Sequence, residues 1–460
     1  MADMTTDLNQ SANRQFYKKL TMIALPIAVQ ELISCSLSLV DNLMVGSLGE
    51  AELAAVGAGF QLLLLHYLVM YGFTSGTATY ISQLWGAKDI KRIKQTIGLS
   101  AKITIGVGGV FFIIANLFAT PIMHLFSTDA DVIRMGSEYM RICSPAMLIT
   151  GVSQPFVIAL RSTQQMKTPL IASMVAFSTN TFCNYLLIFG SFGLPCLGVR
   201  GAAIATIFSK TLELAIILTV VFPMKNIVGG RLSEFRGISR DLSGRVIRNS
   251  IPTTANESLW QLGHSMYLVA IGHISVTAYA AVQAGNTINS IFDMFSFSIG
   301  SATLIIIGEI LGQNKIEEAK IYARKLLKVS FIVSVICGVL LIAVSGTIVD
   351  MFNFTPEGAD ACRKVLLVYG CTLWLNQFNA TIIVGALRGG GDTFYAATRE
   401  LACVWLIGVP VAFIGAMWLR LPVYYVVLLI KLEEVVKAVL VGRRFISNKW
   451  AKNVVTNIEE

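Results

Sequence analysis

Glu31 and Asp41 are carboxylates inside an apolar run, residues 24 to 49, long enough to cross a bilayer. An acid at membrane depth is costly unless it faces a protein cavity and acts on an ion or a substrate. A helix from about Met22 to Gly46 puts Glu31 near the midplane of the ~30 Å hydrocarbon core and keeps Asp41 inside it. With Ser34 and Ser38, the two acids recur at steps of three and four residues and draw one polar stripe along a greasy helix. No cation in the same helix is placed to neutralise Asp41, so cation binding is the chemistry expected there.

A second stripe, Glu257, Gln261 and His264, has Trp260 and Tyr267 alongside, and a third contains Gln283, Asn286, Asn289, Ser290 and Asp293. Two more apolar runs add His66, Tyr67 and Tyr71, then Trp374, Asn376, Gln377 and Asn379. Buried negative charge beside aromatic faces suits a lipophilic cation. The expected substrate cavity therefore draws on Glu257, Asp293, Gln261, His264, Gln377, Tyr71 and Trp374. Some of these have plainer readings: a seam hydrogen bond for Glu31 and Glu257, a cavity-solvated acid for Asp293, an interhelical hydrogen bond for His264. Lys210 with Glu213 and Lys431 with Glu434 are spaced as intrahelical pairs, and Glu309 is expected at the cytoplasmic interface.

The helices that carry these stripes must span a membrane. The 460 residues are 55% hydrophobic and 14% charged, with mean hydropathy +0.68, which indicates an all-α polytopic membrane protein. Twelve spans are predicted at 20–46, 53–83, 96–122, 132–159, 168–190, 198–222, 247–271, 276–309, 328–350, 363–386, 394–418 and 421–441. The first is read as an uncleaved signal anchor. Lys and Arg concentrate in the N-terminal tail and in alternate loops, for example Lys88, Lys91, Arg92 and Lys94, while the loops between are bare or acidic. Both termini are then cytoplasmic, and the net charge of +9 reflects topology, with no nucleic-acid partner. The eight scattered cysteines read as small core residues, with neither a disulfide framework nor a metal site beyond a Na+ at Asp41. No catalytic motif stands out, and Gly389-Gly390-Gly391 lacks the context of a phosphate loop, so an enzyme is not expected.

The chain also repeats. An offset of 226 (257 − 31) lays Glu31 on Glu257, Pro26 on Pro252, Gly46 on Gly272 and Gly86 on Gly312, and an offset of 227 (388 − 161) lays Ala159-Leu160-Arg161 on Ala386-Leu387-Arg388. Two six-helix lobes, 20–222 and 247–441, are expected, related by a pseudo-two-fold axis along the membrane normal. Residues 223–246 would be a cytoplasmic linker, with cytoplasmic tails at 1–19 and 442–460.

Several segments together resemble the multidrug and toxic compound extrusion (MATE) family of bacterial transporters, in its NorM-like branch. They are Pro26, Val40 to Gly57 (VDNLMVGSLGEAELAAVG), Gln83 with Trp85 to Asp89 (WGAKD), and Ala159 to Pro169 (ALRSTQQMKTP). Asn180 to Gly190 (NTFCNYLLIFG), Leu197 to Thr206 (LGVRGAAIAT) and Ala386 to Thr393 (ALRGGGDT) complete the set. The resemblance implies a secondary active multidrug exporter of a bacterial inner membrane. It would antiport organic cations and amphipathic drugs against H+ or Na+ by alternating access, with no other cofactor, as a monomer. The alternative is a flippase for a lipid-linked saccharide. By the resemblance, Asp41 is the cation-coupling acid, Asn180 and Asn184 are its polar partners, and Glu257 matches the helix 7 acid of NorM-like members; Glu31 is expected in the cation-coupling set from its place in the stripe with Asp41. Asn184 stands where the DinF-like branch has an aspartate, and Gln377 where NorM-like members have one. The second half is therefore expected to offer Glu257 facing a neutral Gln377.

Overall fold

The computed structural model describes residues 2–193, 195–224, 226–350, 354–456 and 458; residues 2–13 and 296 are described in backbone only. Lys225 and positions 351–353 of the expected loops lie outside the described residues. Among the described residues there is no strand, and twelve long helical stretches follow one another. These are α1 (Ala2–Gly46), α2 (Glu50–Gly86), α3 (Ile90–Leu117), α4 (Ala130–Ser162), α5 (Lys167–Phe189), α6 (Val199–Val221), α7 (Arg240–Gly272), α8 (Val276–Gly312) and α9 (Ile316–Val349). α10 is Pro356–Ala380 continued by a π-helical turn, Thr381–Leu387. α11 is Thr393–Trp418, broken by π turns at Val404–Gly408 and Ile414–Trp418, and α12 joins Val423–Ile430 to Leu432–Ile446 at Lys431.

Local chemistry sets where these helices begin and end. Asp89, Asp129, Ser275 and Thr355 each accept a hydrogen bond from the first turn of α3, α4, α8 and α10, satisfying amides that have no intrahelical partner. Gly190, at φ 69°, closes α5 in the left-handed region. Several helices outrun their apolar cores: α1 begins at Ala2 where a tail was expected, and α9 at Ile316 where 328 was expected. Apolar-run length measures the bilayer, whereas helical hydrogen bonding continues into polar sequence.

The protein is an all-α polytopic membrane protein. Among the described residues, nine of the stretches are long and apolar enough to cross a bilayer. The other three, α7, α10 and α12, carry the polar side chains Glu257, Gln261, His264, Gln377, Asn379, Glu433, Glu434 and Lys437. Large apolar side chains such as Leu43, Val110, Ile113, Leu117, Ile336 and Leu406 are exposed, as a hydrocarbon solvent requires.

The chain forms two compact units, each described by itself. Unit 1 contains α1 up to Ala28, Ser82–Ala87 and the chain from Ile251; unit 2 contains Val29–Ile81 and Lys88–Ser250. The boundaries differ from a cut at 223–246. In unit 2 that stretch is packed down: Phe235 is buried against Phe156 and Phe222, and Lys94 holds Glu234 at 2.5 Å. In unit 1 the repeat-related Gly86 and Gly312 make reciprocal contacts. A Cβ on Gly86 would run into the carbonyl of Glu309, and one on Gly312 into the carbonyl of Gln83. Small residues there let two backbones approach closely.

Residues after Ile446 also pack rather than trail. Trp450 is fully buried, its carbonyl sits where a Cβ on Gly390 would be, and Gln83 Nε2 donates to the carbonyls of Gly389 and Lys452 at 2.9 and 3.1 Å. The three glycines at 389–391 thus make room for the C-terminal segment. The core of unit 1 centres on Ile271, Ala281, Leu341, Val365, Leu366 and Val426, and that of unit 2 on Ala55, Met123, Met140, Ile188 and Ala203. All eight cysteines are free; Cys143, Cys337, Cys362 and Cys403 are buried, but Cys196 and Cys371 are exposed, so the reading as core residues fails for those two.

Candidate functional site

Asp41 lies on α1 two turns before the helix ends, and α5 presents Asn180 and Asn184 one turn apart. Asn184 Nδ2 donates to Asp41 Oδ1 at 2.5 Å and to Asn180 Oδ1 at 2.9 Å, and Asn180 Nδ2 reaches Ser209 Oγ of α6 at 3.4 Å. Both asparagines are almost wholly buried. Asn184 Oδ1 has no hydrogen-bond partner, which leaves an amide oxygen beside a carboxylate that makes no ion pair among the described residues. Such a set of oxygens can hold a proton or a small hard cation.

Glu31 joins a different group. Arg161 of α4 donates to Gln30 Oε1 at 2.6 Å and lies 3.4 Å from Glu31 Oε1, while Gln30 Nε2 donates to Ser173 at 2.8 Å. Glu31, Arg161, Tyr67, Tyr71, Lys210 and Glu213 line a cavity of about 90 Å³ inside unit 2. Lys210 and Glu213 pair at 2.8 Å as their spacing predicts, so this small polar cavity holds two acids and two bases, each engaged. Tyr71 stacks on Tyr67 with ring centroids 6.1 Å apart.

In unit 1, Glu257 is held by Arg388 at 2.7 Å, with the arginine 2% and the glutamate 16% exposed. This corrects the expectation that Glu257 faces Gln377. Gln377 Nε2 instead donates to Asp293 Oδ1 at 2.8 Å, and Asn289 Nδ2 donates to Asp293 Oδ2 at 2.6 Å. Gln377 Oε1 and Asn289 Oδ1 are buried without partners. His264 is packed between the rings of Trp260 and Tyr267, 4.0 and 5.1 Å away, and its Nε2 has no partner. Gln261 is half-buried outside this network, and Trp374, 39% exposed, sets its ring against Phe331.

Sequence reasoning missed both arginines. The signal was present, since the repeat equates Glu31 with Glu257 and Arg161 with Arg388, and partners that recur together are candidates for contact. It also mispaired α12. Lys431 turns its ammonium over the ring of Tyr369, 5.1 Å from the centroid, and Glu434 pairs with Lys437 at 2.6 Å.

Two helical units rich in exposed apolar surface, each with a half-buried carboxylate that accepts from amide nitrogen, have the build of a polytopic membrane transporter. The chain belongs to the MatE family, which matches residues 26–186 and 252–414, once in each half and beginning at the repeat offset of 226 (252 − 26). The chain is 26% identical over 412 residues to the probable multidrug resistance protein YoeA of Bacillus subtilis, covering 88% of each. It is 22% identical over 448 residues to the probable multidrug resistance protein NorM of Thermotoga maritima, covering 96% of this chain and 95% of that one. Its fold matches a MATE transporter crystallised with MaL6, at TM-score 0.86 and 17% identity over 94% of this chain and 97% of that one. It matches the eukaryotic MATE transporter AtDTX14 at TM-score 0.82 and 22% identity, over 95% and 97%. The protein is a transporter and not an enzyme.

Proposed function

We propose that the protein is a secondary multidrug exporter with twelve spans and both termini in the cytoplasm of a bacterium. It moves amphipathic organic cations outward against inward flow of protons or sodium by alternating access, as a monomer. The observation that carries this reading is Asp41: a carboxylate at membrane depth that accepts from Asn184 Nδ2, itself tied to Asn180 Oδ1, with no base in contact among the described residues. An acid left uncompensated there binds a cation when the ion is available and must rearrange when it leaves. Relatives named as multidrug resistance proteins support the same reading.

Asp293 is the counterpart for substrate in unit 1. Its oxygens are fixed by Gln377 and Asn289, and Trp260, His264 and Tyr267 supply ring faces on α7. Glu257, neutralised by Arg388, contributes position more than charge. A saccharide-phosphate flippase would need unpaired basic groups at its cavity, whereas Arg161 and Lys210 are each engaged by an acid.

The test is transport by the purified chain in proteoliposomes. An imposed proton or sodium gradient is expected to drive accumulation of a cationic dye against its own gradient. Dye movement that ignores both gradients would overturn the coupling.

A further inference from the structure

α7, α11 and α12 of unit 1 bury a group that the transport reading does not use. Lys437 Nζ, 2% exposed, lies 2.6 Å from Glu434 Oε1 and 3.7 Å from Glu433 Oε1. The Tyr267 hydroxyl donates to Glu433 Oε2, Asn379 Nδ2 donates to Glu434 Oε2 at 2.7 Å, and Asn256 Nδ2 donates to Glu400 Oε2 at 2.8 Å. Glu400 is within electrostatic reach of Lys437. The other charged or titratable groups facing the cluster are His264 and Glu257 from α7, Arg388 from the end of α10, Cys403 from α11 and Lys431 at the joint within α12. Of the two further bases, Arg388 is engaged by Glu257 and Lys431 lies over the Tyr369 ring.

The charge ratio separates this group from the structural ion pairs. Glu31 with Arg161, Glu213 with Lys210, and Glu257 with Arg388 are each one acid to one base. Here Glu433 and Glu434 share the one ammonium of Lys437 with Glu400 nearby, and an uncompensated buried charge is strongly destabilising. Two amide oxygens point to the same need. Asn256 and Asn379 are 2% and 1% exposed, and each uses its amide nitrogen on a carboxylate, so neither amide can flip without setting oxygen against oxygen. Their Oδ1 atoms are buried without partners, acceptors waiting for a donor.

The repeat says where the group lies. The offset of 226 that relates Glu31 to Glu257 relates Asp41 to Tyr267 (267 − 41), and the offset of 227 at Arg161 and Arg388 relates Lys210 to Lys437 (437 − 210). α7, α11 and α12 thus stand in unit 1 where α1, α5 and α6 stand in unit 2, the helices that bring together Asp41, Asn184, Asn180 and Ser209. A carboxylate absent from position 267 is supplied to that hydroxyl by Glu433 of α12. The π turn Val404–Gly408 sets Gly408 directly on this pair, where a Cβ would run into both the tyrosine and the glutamate oxygens. π turns recur at functional sites.

We propose that the Glu400, Glu433, Glu434 and Lys437 group is a proton-binding site, the second ion site of the protein and the counterpart of Asp41 in the other unit. A hydronium ion delivers its proton to a carboxylate oxygen of Glu433 or Glu400 and becomes water; release to water in another conformation reverses the step, with no oxidation or reduction. Lys437 already occupies the place between Glu433 and Glu434 that a metal cation would need, whereas a proton adds to a single carboxylate oxygen, so the ligand is the proton. The inference rests on the reading of the protein as an ion-coupled carrier, but its readout is proton binding by the resting protein, which needs no transport.

The full chain in detergent, weakly buffered, is titrated with a pH indicator in an Asp41→Asn background. Adding Glu433→Gln or, on a different helix, Glu400→Gln is expected to lower proton uptake by about one per molecule, shared across the coupled group. Tyr267→Phe is expected to shift the midpoint while keeping the count. Unchanged uptake in both glutamine variants would overturn the proposal, as would displacement by sodium of the proton bound in the Asp41→Asn protein. Dye export that ignores both gradients while uptake follows this pattern would sink the ion-coupled reading and leave the site standing.

Discussion

Unit 2 keeps its charges balanced and isolates a single acid, whereas unit 1 gathers acids in excess. In unit 2 the two bases that line the cavity, Arg161 and Lys210, each meet one glutamate, and Asp41 accepts from the amide of Asn184. In unit 1 Arg388 meets Glu257 in the same way, but Asp293 and the three glutamates around Lys437 are added to the scheme. The ion pair is the part both units retain, so it serves the fold common to both. The acids that differ are the part free to set which ions and compounds each unit handles. A carboxylate paired with a guanidinium has its charge answered, while one held by amides still attracts a cation.

The largest expected effect breaks the contrast at its isolated acid. Asp41→Asn should reduce gradient-driven dye export to background while equilibrium dye binding, measured by fluorescence anisotropy, survives. Full export by Asp41→Asn and none by Asp293→Asn would move coupling into unit 1. Next comes the shared ion pair. Arg388→Ala leaves Glu257, 16% exposed, unanswered and should destabilise the protein by about 3 kcal/mol in detergent unfolding, the low end for a buried pair. Arg161→Ala should cost less, because Glu31 is 22% exposed and sits at a longer 3.4 Å. Equal losses would show that the two pairs are not graded by burial. A smaller effect is expected at the reciprocal glycine contact. Gly312→Ala places a methyl against the backbone of Gln83 and should cost about 1–3 kcal/mol, read from the same unfolding curves.

The smallest effect lies on the surface of unit 2. The hydrogen bond from Lys94, aided by the backbone amide of Arg231, holds the Glu234 carboxyl below its ordinary value. Its contribution is present above the unfolded carboxyl range and is lost as pH falls through the lowered value. The protection factors of amides in residues 231–236, corrected for the intrinsic pH dependence of exchange, should therefore fall on acidification, and Glu234→Gln should remove that change.

Much of this architecture was legible in the residues. Apolar runs of bilayer length fixed helices and their order, because hydrocarbon permits no unsatisfied backbone. The constant offset from Pro26 and Pro252 onward exposed the duplication, and the spacing of Glu31, Ser34, Ser38 and Asp41 exposed a polar stripe. What a stripe faces is not written in its own period. Glu31 and Asp41 share one face of one helix, yet one meets Arg161 of α4 and the other Asn184 of α5, because a helix with 3.6 residues per turn presents successive turns to different neighbours. Likewise Lys431 and Glu434 have the spacing of a pair, but Glu434 pairs with Lys437 one turn further along the same helix, while Lys431 reaches across to the Tyr369 ring. The sequence by itself determined which residues lie at membrane depth and that they come in two related sets. Only the tertiary structure decided which acid is answered by a base and which by an amide, since that depends on contacts between helices far apart in the chain, 130 residues for Glu31 with Arg161 and 143 for Asp41 with Asn184.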